Sequence, residues 1–312
     1  MFSAIKKNRL KPGLAAVGVG PTGVCLVQVV RQAGRPPRIQ AHVYRPLEAG
    51  ESLNQVLEAM AREHGLLRMQ CTTVLNDNDY KLLLTETPEV PPDELKSAVR
   101  WRIKDLIDFH INDTILDLFD IPGEDGAKAN RELYVVAARS QAIQERVDLL
   151  VNAGMHLDII DIPELAQRNI AALLPEDAQG VALLSFNERG GLITLTRQGL
   201  LYLSRSLGTT PRNLEDESSR MMHFEQVVLE VQRSLDYYES HFRQAPIRTL
   251  VLAPLPFNAA ALMEFLGANL NVSVQLLHLA QYLDAPEDLP PTLQGTCLSV
   301  LGAALRQEAL AP

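Results

Sequence analysis

The sequence predicts a two-lobed α/β fold made by internal duplication, with a strand-helix-strand-strand subdomain inserted between the two copies. Two observations predict this. A three-stranded meander pattern occurs once in each half of the chain, and a separately patterned segment lies between the two occurrences. At 312 residues the chain is long enough for two domains or for one domain built in lobes.

The two meanders share one pattern, in which short apolar and β-branched runs are separated by Gly-rich turns. The first consists of Leu14–Val19, the turn Gly20–Gly23, Val24–Val30 and Arg38–Tyr44. The second consists of Val181–Phe186, the turn Asn187–Gly191, Leu192–Thr196 and Leu200–Leu207.

The inserted subdomain begins with a predicted strand, Lys81–Thr87, which the proline-rich run 88–92 ends. Apolar residues at helical spacing then predict a helix with one buried face, formed by Leu95, Val99, Ile103 and Leu106. Two further strands, Thr114–Pro122 and Arg131–Ala138, flank the polar loop Gly123–Asn130.

The rest of the chain alternates helices and strands. We expect helices at Gln141–Asn152 (ended by an αL cap at Gly154), Phe224–Phe242, Asn258–Asn269 and Cys297–Glu308, strands at Leu157–Ile162, Thr249–Ala253 and Val272–Leu277, and loops at Thr209–Arg220 and Asp284–Gln294. The predicted boundaries place residues 1–80 in the first lobe, 81–163 in the inserted subdomain and the return to that lobe, and 164–312 in the second lobe.

Composition excludes several classes of function. A net charge of -9 without a basic face argues against nucleic-acid binding, and no run reaches the roughly 18 apolar residues of a membrane span. Cys25, Cys71 and Cys297 show neither disulfide nor metal-ligand spacing, which fits a reduced cytoplasm, and the histidines are scattered, so we expect no metal site. The basic terminus (Lys6, Lys7, Arg9, Lys11) is not a signal peptide; it is either solvated or in contact with anionic lipid.

Four stretches carry a resemblance to a known family: Pro88–Pro122, Glu132–Ala166, Leu229–Phe242 and Leu301–Glu308. In this order and spacing they resemble the PilM proteins of type IV pilus assembly, and most of all the branch that serves the mannose-sensitive haemagglutinin (MSHA) pilus. The resemblance implies an actin-like, ribonuclease H-like duplicated fold. It also implies that the inserted subdomain is the one that PilM-like proteins share with the cell-division protein FtsA.

The same resemblance implies an ATP site made of three loops, and those loops are altered here. The family's first Asp-x-Gly hairpin falls on Gly18-Val19-Gly20, with the usual Lys replaced by Cys25; the second falls on Ser185-Phe186-Asn187; and the adenosine turn falls on Pro254-Leu255-Pro256. Without the acids that position Mg²⁺, we expect no catalysis and no cofactor, with ATP and Mg²⁺ bound only if the altered loops still hold them. The residues of this vestigial site are Gly18, Gly20, Thr22, Gly23, Ser185, Asn187, Glu230 and Pro254.

Some of these residues have other interpretations. The run 18–23 has a GxGxxG pattern, but it continues into a strand and is better explained as a hairpin turn. The pairs Asp105/Asp108 and Asp113/Asp117 are better explained as solvated charges than as catalytic acids. Glu230 and Asp236 are candidate surviving site acids, although pairing of Glu230 with Arg233 is favoured.

The resemblance also implies a partner, the cytoplasmic tail of a PilN-like inner-membrane protein, which would hold the chain at the inner membrane; the assembly ATPase is a further candidate. In the family this tail docks between the first lobe and the inserted subdomain. Trp101 points away from the buried stripe of its helix, so it packs on a neighbouring lobe or lines that groove, and Ile107, Phe109 and Ile111 are either core or interface.

Three functions therefore remain open at this stage. The favoured one is a cytoplasmic, non-catalytic scaffold of pilus biogenesis. The alternatives are a nucleotide-binding ATPase or ATP switch, supported by Gly18, Gly20 and Gly23, and the soluble part of a GspL-type secretion scaffold, which would require a membrane span that the sequence lacks.

Overall fold

The computed structural model describes residues 10–121, 132–285 and 289–307. The predicted loop Gly123–Asn130, the basic residues Lys6, Lys7 and Arg9, and Glu308 at the end of the predicted last helix lie outside the described residues. Within the described part, no helix is both long and apolar enough to cross a membrane.

Strands and helices alternate along the chain. The strands are β1 (Leu14–Val19), β2 (Gly23–Val30), β3 (Arg38–Pro46), β4 (Gln70–Val74), β5 (Tyr80–Glu86), β6 (Thr114–Asp120), β7 (Glu132–Arg139), β8 (His156–Asp161), β9 (Val181–Asn187), β10 (Gly190–Arg197), β11 (Leu200–Leu207), β12 (Thr249–Leu252) and β13 (Ser273–Leu276). The helices are α1 (Leu53–Glu63), α2 (Leu95–Arg102), α3 (Ser140–Asn152), α4 (Pro163–Ala171), α5 (Pro211–Glu215), α6 (Arg220–Phe242), α7 (Ala260–Asn269), α8 (Pro291–Gln294) and α9 (Leu298–Ala304).

These elements fall into two compact units. The first unit consists of the described parts of Met1–Val74, Val147–Ile170 and His278–Pro312. The second unit consists of Leu75–Arg146 and Ala171–Leu277, again within the described residues.

The predicted duplication is confirmed by the strand order of two five-stranded sheets. The sheet of the first unit has the order β3-β2-β1-β4-β8, and a sheet of the second unit has the order β11-β10-β9-β12-β13. In both, an antiparallel three-stranded meander comes first and two parallel strands follow it along the chain. Parallel neighbours need crossover connections, and α7 supplies one between β12 and β13.

The inserted subdomain is a third sheet, with the antiparallel order β5-β7-β6. Val99 and Ile103 are fully buried against it. Leu106, expected on the same buried face, is exposed because α2 ends at Arg102 and the following residues are no longer helical, so the helical spacing does not extend to residue 106. Within the second unit, the subdomain is hydrogen-bonded to β11: the hydroxyl of the buried Tyr134 donates to the carbonyl of Tyr202 at 3.1 Å.

Other predictions of local structure need correction. The expected loop Thr209–Arg220 contains α5, which begins with a capping box between Thr210 and Asn213. The expected loop Asp284–Gln294 includes α8, and the last helix ends at Ala304. Gly154 adopts φ +83°, as the αL cap requires.

Candidate functional site

The turn of the first hairpin, between β1 and β2, is closed by its own hydrogen bonds. The N–H of Gly20 donates to the carbonyl of Gly23 at 2.9 Å, and the hydroxyl of Tyr44 donates to Thr22 Oγ1 at 3.0 Å. At Gly23, a Cβ would lie 2.6 Å from the carbonyl oxygen of Arg45, so glycine is needed there for the close approach of β3. The Gly20 N–H, which a phosphate would otherwise accept from, is therefore already used within the turn.

Gly18 is the position where the sequence resemblance implies a metal-positioning aspartate, and its side-chain space is filled by Val300. A Cβ added at Gly18 would overlap Val300 Cγ2, and Val300 is itself only 5% exposed. Because Val300 is β-branched and held in the core, it has little freedom to move aside. The space that a carboxylate side chain at residue 18 would need is occupied by the apolar side chain of Val300.

Cys25, where the sequence resemblance implies a lysine, forms a disulfide bond with Cys297. The prediction that the cysteines form no disulfide was therefore wrong: they are 272 residues apart in sequence, but the fold brings strand β2 and the start of α9 together. Gly18 and Cys25 are direct partners in the β1–β2 ladder, and their contacts on α9, Val300 and Cys297, are three residues apart. The short segment from Cys297 through α9 therefore occupies the space beside both positions of the first hairpin.

The C-terminal end of α9 is also fixed within the first unit. A Cβ at Gly302 would overlap the backbone of Ala166, and the Asn169 side chain donates to the carbonyl of Gly302 at 2.9 Å. Just beyond the helix, Arg306 Nη1 lies 3.3 Å from Asp161 Oδ2, and burial raises the pKa of the Asp161 carboxyl above its ordinary value. Six of the seven residues of α9 are buried, so the helix is held along its whole length.

The second hairpin, between β9 and β10, is also satisfied internally. Asn187 Oδ1 accepts from the backbone N–H of Arg189 at 2.8 Å and of Gly190 at 3.2 Å. This Asx-type turn uses the two N–H groups that a phosphate-binding turn must leave free. Ser185, two residues before Asn187 in β9, is half-buried.

The third loop, at Pro254, follows β12 in the second unit. Pro254 is half-buried, and Leu255 is buried with an exposure of 7%. Two prolines flank Leu255, and neither has an N–H to offer a ligand.

Glu230 on α6 is held by two arginines. Its carboxylate accepts from Arg205 at 3.1 Å and from Arg233 at 2.8 Å, so the favoured pairing with Arg233 is confirmed. The hydrogen bond from Arg205 is the largest cause that lowers the pKa of this carboxyl below its ordinary value, and Arg233 adds to it. Asp236 accepts from Gln232 at 2.7 Å on the same helix. Both acids are engaged in structural contacts.

These residues do not fit an ATP–Mg²⁺ complex. Binding the metal and triphosphate requires carboxylates to position Mg²⁺ and free backbone N–H groups to approach the phosphates. At the first hairpin the carboxylate position is filled by Val300, and at the second the turn N–H groups are capped by Asn187. Among the described residues, no group of three or more His, Cys, Asp or Glu side chains could hold a metal ion.

The predicted partner residues divide into one exposed residue and three packed ones. Trp101 is 72% exposed, whereas Ile111 is buried and Ile107 and Phe109 pack on the core of the inserted sheet. The guanidinium of Arg139 lies 4.8 Å from the centre of the Phe109 ring. Of the acid pairs, Asp108 lies near Lys81 and Arg139, and Asp117 contacts Lys96 at 3.1 Å, in agreement with ordinary surface charges.

Sequence reasoning missed Val300, Cys297 and Arg205. The first two lie on a helix far from the hairpin in sequence, and only the fold brings them to it. The one available signal was that Gly18 and Cys25 depart together from the family's pattern at positions that pair across a hairpin.

Comparisons with known proteins agree with this architecture. Residues 40–201, just over half of the chain, match the model of the family described as type IV pilus assembly protein PilM. A comparison with curated protein sequences finds no significant match.

Two solved structures share the fold. A chain of a PilM–PilN type IV pilus biogenesis complex superposes with a TM-score of 0.71 at 19% identity, covering 94% of this chain and 97% of that chain. The cytoplasmic domain of EpsL, an inner-membrane component of the type II secretion system of Vibrio cholerae, superposes with a TM-score of 0.52 at 12% identity, covering 95% and 96%. The fold is therefore actin-like, as predicted, and the family match over half of the sequence shows that the chain belongs to the type IV pilus assembly protein PilM family.

Proposed function

We propose that this protein is a non-catalytic scaffold of type IV pilus assembly. The observation that carries the proposal is Val300, which occupies the space that a metal-positioning carboxylate at residue 18 would need. Removal of metal-held charge compensation costs several kcal/mol of phosphate binding, which affects hydrolysis first and affinity second. A fold that keeps its architecture while losing this chemistry fits a role in holding other proteins.

The proposed partner is the cytoplasmic tail of a PilN-like inner-membrane protein. The structural relative with TM-score 0.71 is a component of a PilM–PilN complex, and it aligns with nearly all of this chain. On this proposal the protein works in the cytoplasm, at the inner membrane through its partner, and the assembly ATPase is a second candidate partner. The finer assignment to the MSHA pilus, as a counterpart of MshI, depends on the sequence resemblance at Pro88–Pro122 and Glu132–Ala166.

Trp101 is the residue most suited to anchor such a tail. Its indole is 72% exposed, the largest exposed fraction among the exposed large hydrophobic side chains of the described residues. Val90 and Leu106, on the same subdomain, are also exposed, at 36% and 56%. Since tryptophan is strongly enriched among residues that dominate binding energy, its loss should weaken tail binding at least about tenfold.

The test is isothermal titration calorimetry of the purified chain with two titrants. A synthetic peptide of the cytoplasmic tail of the PilN-like protein should bind, Trp101→Ala should weaken it, and Met222→Ala, which truncates a 53% exposed residue on α6, should not. Because Trp101 is the only tryptophan, its fluorescence should also shift to shorter wavelength when the peptide covers it. Equal affinity of Trp101→Ala and wild type would refute the placement of the interface at Trp101.

The second titrant is ATP with Mg²⁺, added to metal-stripped protein. We expect no heat of binding at millimolar nucleotide. Micromolar, Mg²⁺-dependent binding would overturn the non-catalytic assignment and make the ATP switch the leading function.

A further inference from the structure

A covalent bond inside the first unit has no part in the proposed partner binding. Cys25 on β2 and Cys297 at the start of α9 are joined, and both are buried, with exposures of 5% and 1%. Disulfides are rare in reducing compartments, where those that occur are usually redox-responsive. In the cytoplasm, the compartment of the proposed function on which this step rests, the bond therefore points to redox regulation.

The bond lies beside a second contact between the same elements. Gly18, the ladder partner of Cys25, receives the side chain of Val300, one turn along α9 from Cys297. A covalent bond and apolar packing therefore both hold α9 against the first hairpin. Opening the bond would leave α9 held by packing alone, with Val300 against Gly18 and the other buried residues of the helix against the sheet.

Cys71 provides an internal reference. It lies on β4, is completely buried, and is a free thiol. Burial raises the pKa of this thiol to about 12, so it stays protonated and unreactive near neutral pH. Any thiol–disulfide response of the folded protein near neutral pH must then come from Cys25 and Cys297.

We propose that Cys25 and Cys297 form a redox clamp that sets the stability of the first unit through α9. Two glutathione molecules open it. The thiolate of the first attacks one sulfur and forms a mixed disulfide, and the second releases glutathione disulfide. The protein S–S bond breaks, one glutathione S–S bond forms, and the two cysteine sulfurs take up the two protons that the glutathione thiols lose. Glutathione disulfide closes the clamp by the reverse sequence.

The closed clamp restricts the unfolded chain more than the folded one. It joins residues 272 apart, and the loop-closure model predicts greater stabilisation for longer loops. For a protein of this size we expect reduction to lower the Tm by about 5–10 °C. Because both sulfurs are buried, glutathione reaches them only when α9 opens locally, so Val300→Ala should speed reduction several-fold.

The experiment equilibrates the full chain in glutathione buffers of increasing oxidised fraction, then counts thiols after denaturation and measures Tm. Under oxidising conditions we expect one thiol, that of Cys71, and under reducing conditions three, with the lower Tm. The Cys25→Ala/Cys297→Ala variant should show no redox-dependent Tm, whereas Cys71→Ala should keep the full shift. Val227→Ala, a buried truncation in the second unit, is the control for Val300→Ala and should not change the rate of reduction.

These measurements test the redox clamp independently of partner binding. Three thiols under oxidising conditions would overturn the clamp, and so would a Tm that does not change when the bond is reduced. A redox shift that persists in Cys25→Ala/Cys297→Ala would assign the response to another group and also refute it. Tail binding is measured by calorimetry in both redox states, so failure of the scaffold role would be seen separately.

Discussion

The packing of Val300 into the space beside Gly18 can be tested by adding and removing single methyl groups. Gly18 does not have a positive φ, so alanine is compatible with its backbone conformation. The new methyl group of Gly18→Ala would overlap Val300 Cγ2, and overpacking of this kind costs about 1–3 kcal/mol. The smaller entropy of the unfolded alanine variant offsets about 0.4–1 kcal/mol of that cost. We therefore expect a net destabilisation of about 1–2 kcal/mol.

The partner substitution, Val300→Ala, removes two buried methyl groups. Each buried methyl group contributes about 0.8 kcal/mol, and the cavity left behind adds a further cost, so Val300→Ala should lower the free energy of unfolding by about 2–3 kcal/mol. In the double variant the alanine methyl at residue 18 enters the vacated space. The double variant should therefore lose about 1–2 kcal/mol less stability than the sum of the losses in the two single variants.

The assay is urea unfolding of the four proteins of the cycle, with the disulfide kept oxidised and the m-values compared. Gly20→Ala is the matched control because a Cβ there would lie 3.7 Å from its nearest neighbour, an ordinary contact. It should change stability by no more than about 0.5 kcal/mol. The reasoning is refuted if Gly18→Ala is as stable as Gly20→Ala, or if the cycle is additive.

Two further predictions concern buried tyrosines of the second unit. Burial raises the pKa of Tyr238 to about 12, so this hydroxyl loses its proton at lower pH in the unfolded state than in the folded state. Its contribution to the free energy of unfolding is therefore fully present below about pH 10 and falls by up to about 3 kcal/mol as the pH rises to 12. Tyr238→Phe should remove this part of the alkaline loss, measured as the difference in unfolding free energy between pH 9 and pH 12, and an unchanged slope would contradict the assignment. Tyr134→Phe leaves the carbonyl of Tyr202 without its donor and should cost about 1–3 kcal/mol in urea unfolding, whereas a neutral effect would show that this bond does not stabilise the inserted subdomain.

The sequence was sufficient for the duplicated fold because both meanders depend on local information. Alternating apolar runs and Gly-rich turns specify hairpins within 17 residues, Leu14–Val30 and Val181–Arg197, and the repeat of β1–β3 as β9–β11 made the duplication visible. The inserted subdomain was predictable for the same reason. Its helix α2 was extended too far, since the apolar spacing continues to Leu106 although the helix itself ends at Arg102.

The site was less predictable because its contacts are between residues far apart in sequence. The absence of aspartate at position 18 and of lysine at position 25 could be seen in the sequence once the family pattern was applied. The residues that fill those positions could not be seen in the sequence, because α9 follows both positions by more than 270 residues and contacts the hairpin only in the folded protein. Cysteine spacing gave no signal for the same reason, and the conclusion that no disulfide forms was an inference from the sequence distance between the three cysteines and from their odd number.

On the non-catalytic proposal, the residues at the first hairpin also explain why a return to nucleotide chemistry would be hard. An aspartate at position 18 requires a smaller residue at 300, and a smaller residue at 300 without a new side chain at 18 leaves a cavity. A lysine at position 25 would break the bond to Cys297 and place an ammonium group in a buried position. Each single step towards a working site therefore passes through a less stable protein, while each present residue is stabilised by the others. An exposed residue such as Trp101, by contrast, can change without disturbing this core, which suits the proposed role in partner binding.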